Sequence, residues 1–545
     1  MDGADVFRRY VIEGEDQENI TDEETLALTR FRLEQNSETF ALKELVFGDY
    51  VPIGGYTPPD GDWARDGATI GTNKYLKYLY FERGHEVPEK QYEKFFRGVA
   101  KSKSIEKLYF ERNSYHGGKI FQILTRLIAK NKNFRQLVVK DTMDEPSAIN
   151  YIIAMLENSK DSSMEHLELT STGALWDIVD GDESGESNAP LINKFFASLY
   201  GLSSLVHLDL NSNCIQKVAS TALATFLRHP SCKVKHLNIA ANGIDCECSE
   251  ILADALSEES STVEELILVQ CGRIKERGWE AFARLLESPH SNIKQFSCSM
   301  TSGGDIISNS LSTNTTLKKL SVDVRTDESV INLVNWMSTR NTLVDLTLGD
   351  FSSLGTQSYT ALALYLSSPA GCALTHLAIH CWSVSDESAI AFVDALKVNK
   401  SVLSLSLSGR CKWQWNLFEN ALCDGNSIDA TYLSNHTLQK ISYGHSDQTP
   451  NDEVNLYLGM NELSRSKHEA AQLKIYRKHF SKDGFSMEPF ENMSLKVMPH
   501  AIAYMGKGGV RSLMYNFVKG LAAFVDLSST ATVMSNGTES ESNLL

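Results

Sequence analysis

Three short segments set an imidazole two residues ahead of a carboxylate or an amide: His166-Leu167-Glu168-Leu169, His207-Leu208-Asp209-Leu210 and His236-Leu237-Asn238-Ile239. Brought side by side, three imidazoles and a carboxylate are a donor set that holds zinc, and imidazoles alone can sense pH near neutrality. His376 takes the same place before an apolar residue without such neighbours, so the plainer reading is a polar position that histidine fills. The expectation is three adjacent rings, no tetrahedral arrangement and no bound metal. A second candidate, Asp180-x-Asp182-x-Ser184-Gly185, has the first half of a calcium loop, but Leu191 stands where a bidentate Glu is needed at the twelfth place. It reads as a solvated acidic loop. The third is a group of aromatic residues, Tyr78, Tyr80 and Tyr109, of the kind that binding hot spots favour.

Other chemistry has no carrier. The sequence contains no G-x-x-x-x-G-K-S/T, no H-E-x-x-H, no G-x-S-x-G and no kinase motif set. Cys246 and Cys248 have no second pair at zinc-finger spacing, and Gly506-Lys507-Gly508-Gly509 follows no strand and cannot be read as a phosphate loop. No catalytic residue, metal ligand or cofactor is assigned. Lys plus Arg number 52 against 69 Asp plus Glu, a net charge of -17, which repels phosphate backbones and argues against nucleic acid. Met1–Tyr10 has no apolar h-region and no run approaches 18 apolar residues, so the expected compartment is cytoplasmic or nuclear, without membrane insertion. Ten cysteines lie between Cys214 and Cys423 and read as reduced, packed thiols without disulfides.

The elements that would position these residues follow from a period. An apolar-x-x-apolar-x-apolar triplet can be read fourteen times, from Leu42 to Leu438, at intervals of about 29 residues. Leu205, Leu208, Leu210, Asn213 and Ile215, then Val234, Leu237, Ile239, Asn242 and Ile244, are its clearest copies. Between triplets the apolar residues turn to helical spacing, as in Tyr92, Phe95, Phe96 and Val99, or Trp279, Phe282, Leu285 and Leu286. The pattern resembles leucine-rich repeats of the ribonuclease-inhibitor type, most closely over Leu205–Ile274, with shortened repeats over Ile293–Leu348. The resemblance implies a right-handed α/β horseshoe, parallel strands on the concave face and helices on the convex face, closed by helical caps. Strand side chains alternate, so one concave column runs through Tyr78, Lys107, Gln136, His166, His207 and His236.

The expected organisation is an acidic leader and cap over 1–41 with a helix from Asp22 to Glu34, a solenoid over 42–450, a helical cap over 451–527 and a disordered tail over 528–545. Segments around Leu473, Ile475 and Tyr476 supply the cap's apolar faces. The resemblance implies a non-enzymatic scaffold or adaptor that recognises another protein on the concave face. The partner-binding residues expected are Tyr78, Tyr80, Lys107, Tyr109 and Gln136, with Glu82, Arg83, Glu111 and Arg112 at the strand ends and the three histidines beyond. Replacing Tyr80 and Tyr109 together should weaken binding while leaving the melting temperature nearly unchanged. An alternative is a small-GTPase regulator resembling the GTPase-activating proteins built on this repeat, with Arg83 or Arg112 as its arginine.

Overall fold

The computed structural model describes residues 33–34, 36, 43–47, 63–82, 89–111, 117–141, 148–159, 162–172, 189–349, 355–368, 372–380, 384–409, 413–444 and 450–480. The expected first helix up to residue 32, the acidic insert over 173–188, everything from residue 481 on, Arg83, Arg112 and the side chain of Glu82 lie outside them. The chain divides into two compact units, Met1–Asp323 and Val324–Leu545.

Among the described residues the first unit carries ten strands: β1 (Glu44–Phe47), β2 (Tyr78–Glu82), β3 (Lys107–Glu111), β4 (Gln136–Lys140), β5 (His166–Thr170), β6 (His207–Asp209), β7 (His236–Asn238), β8 (Glu265–Ile267), β9 (Gln295–Ser297) and β10 (Lys319–Asp323). Each pairs in parallel with the next, in sequence order. The register is the one the period predicts: Leu167, Leu208, Leu237 and Leu266 stand opposite one another and are buried. Alternation does the rest, because burial runs intermediate–buried–intermediate along β3, β5, β6, β7 and β8. Among the described residues, one face of the sheet is covered by helices and the other is open. The unit is an α/β solenoid of leucine-rich repeats.

The helices bury the stripes their spacing implies. Phe95, Phe96 and Val99 of helix Glu89–Val99, and Trp279, Phe282, Leu285 and Leu286 of helix Glu276–Glu287, are buried to the last few per cent. Helices Trp63–Thr72 and Glu89–Val99 approach unusually closely. A Cβ on Gly98 would sit 2.2 Å from the Gly67 carbonyl carbon, and one on Gly67 2.2 Å from the Phe95 oxygen, so neither position has room for a side chain.

The repeat asparagine is explained by hydrogen-bond accounting. Asn242 Oδ1 accepts from the N–H groups of Asn213 and Ile215, each at 2.9 Å, and its Nδ2 donates to the Leu210 and Ile239 carbonyls, each at 2.9 Å. A buried loop backbone is thereby satisfied by one side chain from the next repeat. Cys271 takes the equivalent place and is buried, its Sγ 3.6 Å from the Ile239 oxygen. Cys214 differs: it is exposed, on a left-handed backbone with φ 53°, so the expectation of a packed thiol there is corrected. The eight described cysteines are free thiols.

The second unit carries β11 (Asp345–Gly349), β12 (His376–His380), β13 (Ser404–Ser408) and β14 (Lys440–Tyr443), again parallel and in sequence order. Helices Asp452–Leu463 and Lys467–Ile475 follow them. In the latter, Tyr476 just past its end is exposed and Leu473 is half-buried, whereas Lys474 is fully buried. Lys474 Nζ donates to the Leu422 carbonyl at 2.7 Å and the Asn435 carbonyl at 2.8 Å. Burial lowers its pKa to about 7 against a weaker opposing effect from Cys423.

Candidate functional site: the open face of the first unit

Two columns of side chains emerge on the open face. The first runs Glu44, Tyr78, Lys107, Gln136, His166, His207, His236 and Glu265; the second includes Tyr80, Tyr109, Val138, Glu168, Asp209 and Asn238. The structure therefore brings the residues singled out from the sequence into one band across β2–β8. Within that band three kinds of chemistry follow one another.

At β2 and β3 the band is aromatic and cationic. The Tyr80 and Tyr109 rings lie 5.4 Å apart, and Lys107 Nζ sits 5.4 Å from the first centroid and 5.8 Å from the second. Lys140 Nζ is 5.7 Å from the Tyr109 ring, close enough for cation–π attraction. The Tyr109 hydroxyl donates to Glu111 Oε2 at 2.6 Å. Tyr80 departs from expectation, since it is only 7% exposed. Burial, with the nearby Glu44 carboxylate, pushes its phenol pKa well up. Lys107 and Tyr109 cover it, so it is a packing residue whose truncation must cost stability. The surface of this part belongs to Tyr78 and Tyr109, both half-buried.

At β5, β6 and β7 the imidazoles stack. The His166 and His207 rings lie 3.9 Å apart at 6°, and His207 and His236 5.6 Å apart at 24°. Burial, with the two flanking imidazoles, lowers the His207 pKa to about 4. His236 Nδ1 meets Glu265 Oε2 at 2.5 Å, which fixes that nitrogen as the protonated one toward the carboxylate. Among the described residues no group of three or more His, Cys, Asp or Glu has an arrangement that could hold a metal ion. The column is a stack of rings.

Beside the rings stand two carboxylates in register, Glu168 and Asp209. Burial opposes ionisation of Glu168, but hydrogen bonds and charge from His166 and Lys140 outweigh it and hold its pKa at about 2. Lys140 Nζ is 2.7 Å and His166 Nε2 3.5 Å from its oxygens. Asp209 accepts from two amides, Asn211 N–H at 2.9 Å and Asn238 Nδ2 at 2.7 Å. Its pKa is raised, by burial first, and Glu168 adds to the rise. Glu168 and Asp209 are the paired carboxylates of this part of the band. In the sequence they were visible only as neighbours of those rings.

No family model matches this sequence, and no curated protein matches it. Among solved structures, the crystal structure of the Rad7 and Elc1 complex in yeast is similar at 14% identity and a TM-score of 0.41, covering 72% of this chain and 90% of that one. An internalin from Listeria monocytogenes is similar at 14% identity and a TM-score of 0.35, covering 73% of this chain and 93% of that one. The class of the protein, a leucine-rich-repeat solenoid of parallel strands and helices, is read from its own repeat geometry.

Proposed function

We propose that the protein is a non-enzymatic scaffold or adaptor that binds another protein on the open face of its first unit. The observation that carries this reading is the band across β2–β8, where half-buried tyrosines, histidines and charged groups stand in register on a sheet face that no helix among the described residues covers. Rigid aromatic groups of this kind are those from which interface energy is built, and the charged groups around them set specificity. Helices of 11 or 12 residues in successive repeats support the ribonuclease-inhibitor subtype over a short-turn subtype. Free thiols support a reducing compartment, cytoplasmic or nuclear. The net charge of -17 speaks against nucleic acid as the partner. Among the described residues no helix is long and apolar enough to cross a membrane.

Affinity capture from the native cell, mass spectrometry and titration of the recovered protein test the reading. Replacing Tyr78 and Tyr109 together by Ala should weaken binding by about tenfold or more, in the range of interface hot spots, with circular dichroism confirming that the fold is retained despite the uncovering of Tyr80. Undiminished affinity would refute it. A small GTPase recovered in its GTP form, with hydrolysis accelerated by the chain, would replace it with the regulator.

A further inference from the structure

We propose that Met300 is a site of reversible oxidation by a peroxide, and that the Gln270 amide beside it decides which of the two sulfoxide epimers forms. Both residues occupy one recurring place, the turn that follows a strand of the first unit. Asp141, Ser171, Ser212, Ala241, Gln270 and Met300 take that place in their repeats, each on a left-handed backbone. Its occupants are polar or small until Met300, which is 63% exposed at a φ of 60°. Methionine is ordinarily a filler of irregular gaps in a core, whereas this one turns a polarisable sulfur to solvent. Among the described methionines, Met155, Met164 and Met337 are fully buried and Met460 is half-buried, so Met300 is the most open of the five.

Two contacts hold the group in place. In the preceding repeats the N–H of this position donates to a carbonyl of the next repeat, Ala241 to Val269 at 2.8 Å and Gln270 to Ser299 at 3.3 Å. The repeat after β9 is shorter, and the Met300 N–H donates instead to Asp323 Oδ2 at 2.7 Å, which anchors the backbone. Gln270 Nε2 donates to Met300 Sδ at 3.4 Å. That bond engages one of the two sulfur lone pairs, and the exposure of the side chain leaves the other to solvent. The second pair attacks one oxygen of hydrogen peroxide: the O–O bond breaks and an S–O bond forms. The departing hydroxide takes the proton of the transferred oxygen and leaves as water, so the sulfur is oxidised and the peroxide reduced. The product is chiral at sulfur, and each epimer has its own repairing reductase. A lone pair held by Gln270 therefore biases the epimer, and an open side chain admits the enzyme that reverses the step.

The full chain is treated with graded hydrogen peroxide under native conditions, quenched with free methionine, digested and mapped by mass spectrometry. Met300 should gain one oxygen at least about tenfold faster than Met155, Met164, Met337 or Met460, and denaturant should level the rates, because burial then no longer separates the five. The two stereospecific classes of methionine sulfoxide reductase, applied separately to the digest, read the epimers. One class should repair the Met300 peptide at least about threefold more completely than the other, and Gln270→Leu should bring the two level. Circular dichroism of that variant verifies that the fold is kept. Applied to the intact oxidised chain, the favoured reductase should restore Met300. Native oxidation of Met300 no faster than that of Met337, or failure of repair on the intact chain, would overturn the site. Equal epimers in the wild type, or an excess that survives Gln270→Leu, would overturn the part assigned to Gln270.

Discussion

Each unit repeats the same alternation along its strands, and the two differ in what the alternate positions carry. In the first, Tyr78, Lys107, Gln136, His166 and His207 follow one another down a column; in the second the same column reads Asp345, His376, Ser404 and Lys440, with Thr347, Ala378, Ser406 and Ser442 beside it. Beneath these columns the apolar ladders are alike: Leu167, Leu208 and Leu237 in one, Leu346, Leu377 and Leu405 in the other, all buried. Packing demands that ladder in every repeat, whereas the open column is free to vary. On the proposed reading this difference places recognition on the first unit: small hydroxyls bury little area, whereas rigid aromatic rings bury more with few rotamers to freeze.

The largest effect should fall on what the units share. Leu208→Ala and Leu405→Ala should each cost about 2–5 kcal/mol in denaturant unfolding, since each opens a cavity in a ladder that cannot collapse. A loss below about 1 kcal/mol in either would break the claim of a common core. Next comes Tyr80→Ala, expected to lower stability by roughly 2–4 kcal/mol, near the scale for buried large side chains, against less than about 0.5 kcal/mol for Ser406→Ala on the other face. Equal melting temperatures in these two variants would return Tyr80 to the surface.

The units should differ in their response to pH above neutrality, whereas in acid both lose stability, because burial lowers His436 and His479 of the second unit to about 4 as it lowers His207 of the first. His207 has a pKa of about 4 in the fold against 6.5 ordinarily, so between those values the unfolded chain binds more protons and the first unit loses stability as pH falls. Glu168, held at about 2 against 4.5, extends the loss to lower pH. Lys474, at about 7 against 10.5, makes the second unit gain stability as pH rises through that window. Hydrogen exchange resolved to each unit, on wild type, His207→Gln and Lys474→Met, checks this. Each variant should flatten the slope of its own unit and leave the other's. Slopes unchanged by either variant would reject these groups as the cause.

Much of this was legible in the sequence. The triplet period specifies strand positions, parallel order and both columns, because an apolar ladder of spacing two tolerates no slip of one residue. What the period does not carry is how far neighbouring side chains cover one another. Tyr80 lies in an open-face column and is still buried, because Lys107 and Tyr109 close over it. Lys474 was passed over for the opposite reason: its flanking Leu473 and Tyr476 looked like the inward face, yet the chain turns a lysine in to cap two carbonyls. A second asparagine position also went unread. Asn131, Asn314 and Asn399 stand three residues before Phe134, Leu317 and Val402, and donate to the Ile105, Leu286 and Leu366 carbonyls at 2.7, 2.6 and 2.8 Å. That spacing was present in the sequence, but a polar residue between helix and strand reads first as a turn.

The central claim is that recognition belongs to the first unit's open face. It is tested most directly by titrating the captured native partner against two multiple variants. One carries Tyr78→Ala, Tyr109→Ala and Asp209→Asn; the other carries His376→Ala, Ser404→Ala and Ser406→Ala on the second unit's face. The account predicts that the first variant loses at least about a hundredfold in affinity, the combined effect of several hot-spot positions, while the second stays within about twofold of wild type, both keeping the native circular dichroism spectrum. Loss confined to the second variant, or shared equally between the two, would contradict it.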